Sequence, residues 1–98
     1  MVTRIVKMNF RDDAVATFQT IFNTYKEKIR AAEGCTHLTL LRHTPEGTIF
    51  FTYSKWEDES YLEKYRHSDT FAEVWPQTKA LFKAPAEAWT VIEEVVLP

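Results

Sequence analysis

THLTLLRHTPEGTIFFTYSKW, Thr36 to Trp56, is the stretch on which the reading of this chain turns. Two runs rich in β-branched and aromatic residues flank TPEGT, whose Pro45 and Gly47 are turn formers, and that pattern predicts a β-hairpin. On its N-terminal side, Thr3 to Phe10 alternates, with Arg4, Val6, Met8 and Phe10 on one face and Ile5, Lys7 and Asn9 on the other. That period predicts a strand. Asp12 and Asp13 then supply acidic first-turn residues, and Val15, Phe18, Ile21, Phe22, Tyr25 and Ile29 recur at helical spacing. Lys26, Lys28 and Arg30 complement the C-terminal end of the helix dipole, Gly34 follows as a stop, and a helix over residues 13–33 is predicted.

Beyond the hairpin, KWEDESYLEKYRHSDTFAEVWPQTKALF (Lys55 to Phe82) mixes aromatic rings with a dense set of charges. Ser60 with Glu63, and Thr70 with Glu73, each fit a capping box, so the segment between Glu57 and Phe82 is predicted to begin helix twice. Pro76 lacks an amide donor and is expected to break or kink the second helix unless it sits in a first turn. EAWTVIEEVV, residues 87–96, closes the chain as a strand. The order βαββαβ predicts a single domain over residues 1–98, an α+β ferredoxin-like sandwich with a four-stranded antiparallel sheet and helices on one face.

With 98 residues, a formal charge of −2 and 45% hydrophobic residues, the composition is that of an ordinary globular domain. Lys and Arg are spread along the chain, which leaves no electrostatic footprint for nucleic acid or an anionic membrane. An RNP-like [KR]-G-[FY] core is also missing. Two glycines cannot make a Gly-rich phosphate cradle, and no G-x-S-x-G elbow or Cys-x-x-Cys occurs. The start MVTRIVKMNF lacks the apolar run of a signal peptide, and Cys35 has no partner for an internal disulfide, so a reducing cytoplasm is the expected location.

Several strands carry apolar groups at both parities: Ile49, Phe51 and Tyr53 against Phe50, and Trp89 and Val91 against Ile92. A half-solvated sheet would show polar residues on its wet face, so the second face is expected to be covered. A second copy is the simplest cover, giving an isologous homodimer whose two sheets close a shared α/β barrel.

The opening strand with its long amphipathic helix, EGC before the second strand, KWEDE after the third, and YLEKYRHSDTF with Leu62, Ser68 and Phe71 occur here in one order. In these features the chain resembles the antibiotic biosynthesis monooxygenase family of dimeric α/β-barrel proteins, over nearly its whole length. The resemblance implies a cofactor-independent monooxygenase that oxidises a small aromatic, such as a quinol, anthrone or polyphenol, with O₂ and without metal, flavin or haem. The alternative is a non-catalytic dimeric protein of the same fold that binds a small apolar ligand. The resemblance also implies a pocket between the sheet and the helices of each subunit. Quinol-oxidising members commonly carry histidine at the position of Tyr65 and often near Thr70, and this chain has neither. The Asn, Trp and axial His of the haem-degrading relatives would fall near Val6, Tyr65 and Trp75, and all three differ; Trp75 cannot replace an axial imidazole.

Against this background, Trp56, Tyr65, Trp75 and Trp89 are candidates to wall a flat aromatic ligand, the alternative for each being core packing. Within the Lys55–Phe82 segment, Leu62, Phe71 and Phe82 are expected to pack on the sheet, and Tyr65 and Trp75 to face a cavity. His37 is the candidate catalytic base, since deprotonation to an electron-rich phenolate is what lets a substrate pass an electron to O₂. The alternative is a strand histidine on the dimer surface. Arg4 is a candidate to hold a substrate oxyanion, the alternative being a pair with Glu93 or Glu94. His37 and His43 are about 20 Å apart along an extended strand and cannot share an ion. His67 and Cys35 have no partners at ligand spacing, so no metal site is legible.

Overall fold

The computed structural model describes residues 1–98. Its elements are β1 (Val2–Phe10), a short 3₁₀ turn (Asp12–Ala14), α1 (Val15–Arg30), β2 (Cys35–Arg42), β3 (Ile49–Trp56), α2 (Glu59–Arg66), α3 (Asp69–Lys79) and β4 (Phe82–Val91). The strands form one antiparallel sheet in the order β2-β3-β1-β4. This is the ferredoxin-like α+β fold, with its second helix divided into α2 and α3. No helix is long and apolar enough to cross a membrane.

Several boundaries differ from the sequence expectation, each for a local reason. The first helix ends at Arg30, and a turn through Ala32 and Gly34 separates it from β2; Gly34 sits at φ 82°, in the left-handed region that only glycine enters freely. The caps are Asp58 and Ser68, not Ser60 and Thr70. Asp58 takes the Ser60 N–H on its Oδ2 at 2.9 Å, and the Ser68 Oγ accepts the Phe71 N–H at 3.2 Å. Helix α3 continues through Pro76. The last strand begins at Phe82 and ends at Val91, earlier than residues 87–96. Phe82 belongs to the strand because its ring is drawn into the core, and Pro85 is tolerated because β4 is an edge strand, with register shifts against β1 nearby.

Two clusters make the core beneath the helices. Met8, Phe10, Phe18 and Phe50 form the larger, with the Phe10 and Phe18 rings stacked at 4.1 Å and Phe50 edge-on to both. Burying rings of this kind stabilises by roughly 1.5–3 kcal/mol each, so this cluster anchors α1 to the sheet. The smaller joins Cys35, Trp56 and Leu62 and anchors α2.

The opposite face carries no helix. Across it run the rows Leu41–Phe51–Lys7–Glu87, Thr39–Tyr53–Ile5–Trp89 and His37–Lys55–Thr3–Val91. Leu41, Trp89 and Val91 are exposed there, and Lys7 pairs with Glu87 at 3.6 Å. Beyond β4, Ile92, Val95, Val96 and Leu97 are also exposed, and Lys55 holds Glu93 at 2.8 Å.

Candidate functional site

A cavity of about 360 Å³ lies between the helix-bearing face of the sheet and the helices. That is at the small end of the ~300–1,000 Å³ typical of ligand pockets. Its floor comes from the even positions of the strands: Arg4, Val6 and Met8 of β1, Thr52, Ser54 and Trp56 of β3, and Ala86 and Ala88 of β4. The roof is Leu62, Tyr65 and Arg66 of α2 with Phe71, Val74, Trp75 and Thr78 of α3. Space exists because β4 offers only methyl groups where the other strands offer larger side chains.

The break between α2 and α3 shapes the roof. Ser68 donates its hydroxyl to the Tyr65 carbonyl at 2.6 Å while capping α3, so one side chain ends the first helix and starts the next. The turn aims Tyr65 and Phe71, on either side of it, into the same space, edge to face at 5.5 Å. The rings continue both ways: Trp56 lies 5.3 Å from Tyr65, Trp75 stacks on Phe71 at 5.8 Å and 11°, and Phe82 meets Trp75 edge-on at 5.7 Å. The result is an aromatic arc along one wall. Helix α2 is set in height by the Gly34 turn, on whose backbone the Tyr61 ring rests; a Cβ at Gly34 would overlap that ring.

Three ionisable groups face the cavity. The Tyr65 phenol is pushed up to about 12, first by burial and then by the neighbouring Cys35, so at neutral pH it is a hydrogen-bond donor and not a base. The Arg4 guanidinium is held below its ordinary value, chiefly by desolvation and then by the charge of Arg66, with Glu63 acting the other way. Arg4 donates to the Thr90 hydroxyl at 3.0 Å, and Arg66 pairs with Glu63 at 2.8 Å. Glu93 is taken by Lys55, so the pairing of Arg4 with Glu93 or Glu94 weighed from the sequence is not formed. No Asp, Glu or His lines the cavity.

Of the residues singled out from the sequence, the fold brings Arg4, Trp56, Tyr65 and Trp75 together around this cavity. It does not bring His37 or Trp89 there. Both have the opposite strand parity and lie on the uncovered face, where exposed His37 shares a 2.6 Å hydrogen bond with Thr39 and meets Tyr53 edge-on, and where Trp89 is 45% exposed. Trp56 is wholly buried, its Nε1 donating to Ser54 Oγ at 3.0 Å, and acts as much as core as wall. Leu62 and Phe71 line the cavity as well as packing, whereas Phe82 sits in β4 against the core. Arg66, Ala86 and Ala88 were not singled out; Arg66 stands four residues after Leu62 on one helical face, and the alternation of Ala84, Ala86 and Ala88 was the available sign of room above β4. Cys35 is buried, and burial pushes its thiol up, which makes it a packing group.

The sequence model of the antibiotic biosynthesis monooxygenases matches residues 1–75. No curated protein sequence matches. Among solved structures, a conserved protein of Methanosarcina mazei Go1 superposes with a TM-score of 0.88 at 21% identity, over 96% of this chain and 94% of that one. Rv0793 of Mycobacterium tuberculosis gives 0.87 at 18% identity over 99% and 98%. A variant of SnoaB, a cofactor-independent oxygenase of Streptomyces nogalater, gives 0.87 at 20% identity over 99% and 96%.

Proposed function

The chain belongs to the antibiotic biosynthesis monooxygenase family, and from that premise we propose that it is a cofactor-independent monooxygenase acting on a small phenolic or quinol-like aromatic in the cavity under α2 and α3. The observation that carries the reading is the arc Trp56–Tyr65–Phe71–Trp75 closing on two guanidiniums. Rings present broad apolar faces to a flat substrate, and the polar groups among them fix its orientation.

In this reading the substrate ionises in the site. Arg4 and Arg66 supply positive potential in a partly desolvated cavity, which favours a phenolate or enolate over its neutral form, and the Tyr65 hydroxyl donates to the developing oxyanion. The proton leaves to solvent at the mouth, where Arg66 and Ala88 are exposed. The anion passes one electron to O₂, and the substrate radical and superoxide combine at a ring carbon bearing hydrogen. The resulting peroxide anion takes a proton back from solvent, and the hydroperoxide then loses water, so one oxygen atom remains as a carbonyl and the other leaves as H₂O. The substrate supplies both pairs of electrons, and no outside reductant enters the balance.

The uncovered face fits a homodimer in the same reading, with a second copy laid over Phe51, Tyr53 and Trp89. The middle row is apolar through Tyr53, Ile5 and Trp89, and with Leu41, Phe51 and Val91 beside it would leave a broad apolar patch on a monomer. The test is oxygen uptake by the metal-free protein over a panel of hydroquinones and anthrones, with boiled-protein controls for autoxidation. Uptake with one carbonyl oxygen of the product labelled from ¹⁸O₂ is expected. A panel that binds without uptake would make this a binding protein and refute the oxygenase reading.

A further inference from the structure

The cavity's charge does not balance. Its two cations, Arg4 and Arg66, face one carboxylate, Glu63, which is bonded to Arg66 and is not itself part of the lining. Arg4 has only a neutral hydroxyl, Thr90 Oγ1, as its partner. The group therefore carries one surplus positive charge, placed at the end of an otherwise apolar space in which 14 of 19 lining residues are hydrophobic.

A half-buried guanidinium without a carboxylate is costly, because desolvation disfavours the charge and Arg66 repels it. Both effects act on Arg4 here. An anion entering with a ligand would neutralise the surplus charge. The planar fork of Arg suits a carboxylate bidentately, and a single Thr hydroxyl leaves most of its five N–H donors unused. In the sheet, Arg4 is opposite Ser54 and Thr90, in the row next to that of Thr52, Val6 and Ala88. A ring lying over Val6 and Ala88 would direct a substituent at Arg4.

We propose that the substrate is an aromatic acid, a phenolic ring bearing one carboxylate, and that Arg4 is the specificity-determining residue that receives the carboxylate while the ring lies in the aromatic arc. This names the substrate class of the oxygenase site and rests on that reading. Arg66, paired with Glu63, lines the same cavity.

Calorimetric titration of the protein with 2,5-dihydroxybenzoate, its methyl ester and unsubstituted hydroquinone tests the proposal without turnover. The acid should bind about ten- to a hundredfold more tightly than either neutral compound, the range expected for one charge-assisted contact. Arg4→Met should bring the acid-to-ester and acid-to-hydroquinone affinity ratios down to about one, and Arg4→Lys should retain part of the preference. Equal or tighter binding of the ester, or a preference surviving in Arg4→Met, overturns the proposal. If Arg4→Met does not fold, the wild-type acid-to-ester ratio decides alone. Oxygen uptake separates the two claims: tight acid binding without uptake removes the oxygenase and keeps the acid site, whereas equal uptake with acid and ester removes the acid site and keeps the oxygenase.

Discussion

Gly34 offers a direct test of how α2 is held over the cavity. Replacing it with alanine does two things. An L-residue at φ 82° costs about 1–2 kcal/mol from backbone sterics alone. The new Cβ also overlaps the Tyr61 ring, which is partly buried against Cys35, Trp56 and Leu62 and would have to shift. Displacing a packed side chain costs about 1–3 kcal/mol more. The sum, ~2–5 kcal/mol, is a large part of the ~5–15 kcal/mol that stabilises a domain of this size. Gly34→Ala should lower the urea midpoint at unchanged slope and reduce Tm by about 4–8 °C for each kcal/mol lost. Tyr61→Ala removes the obstacle, so in that background the same substitution should cost only the backbone strain, leaving a coupling of about 1–3 kcal/mol. Additive costs in the cycle would refute the claim that the turn sets the height of α2 through Tyr61. A Gly34→Ala protein as stable as the wild type would refute the conformational argument as well.

Tyr65, pushed up to about 12, retains its proton longer in the folded chain than in the unfolded one, so stability is full below about pH 10 and falls as pH rises towards 12. The loss should be on the order of 2–3 kcal/mol, seen as a falling urea midpoint between about pH 10 and 12 and absent in Tyr65→Phe. Trp56→Ala should cost about 3–5 kcal/mol in urea denaturation, because the ring is wholly buried and its loss enlarges the cavity beside Cys35 and Leu62. Ala86→Leu places a branched side chain in the cavity from an edge strand; it should weaken binding of 2,5-dihydroxybenzoate at least about tenfold, with the urea midpoint close to that of the wild type.

The fold was legible because its signals are periodic. Alternation in Thr3 to Phe10 and in the hairpin fixes strands, and the Val15–Ile29 spacing fixes the long helix; both depend on neighbours only a few residues apart. What the sequence did not disclose depends on pairing. Asp58 outcompetes Ser60 as a cap because its carboxylate reaches the Ser60 N–H. The last strand begins at Phe82 because that ring joins Phe10, a contact across the whole chain. The candidate site divides in the same way. Tyr65 and Trp75 were readable from the helix, and Arg4 from the first strand. His37 and Trp89 drew attention by chemical type, yet their strand parity directs them to the other side of the sheet. Ala86 and Ala88 were passed over because the space a small residue leaves is visible only when the wall opposite is in place.

The cavity shares β1 and β3 with the core and adds β4. Phe10, Phe18 and Phe50, which hold the fold, come from β1, α1 and β3, while part of the cavity floor is given by β4, at the margin of the sheet with a single neighbouring strand. A change of side-chain size at Ala86 or Ala88 therefore alters the room for a ligand without reaching the packed rings. Stability and ligand choice are separable in this scaffold, and a lineage can drift from one substrate to another by substitutions on its outermost strand while the fold is left intact.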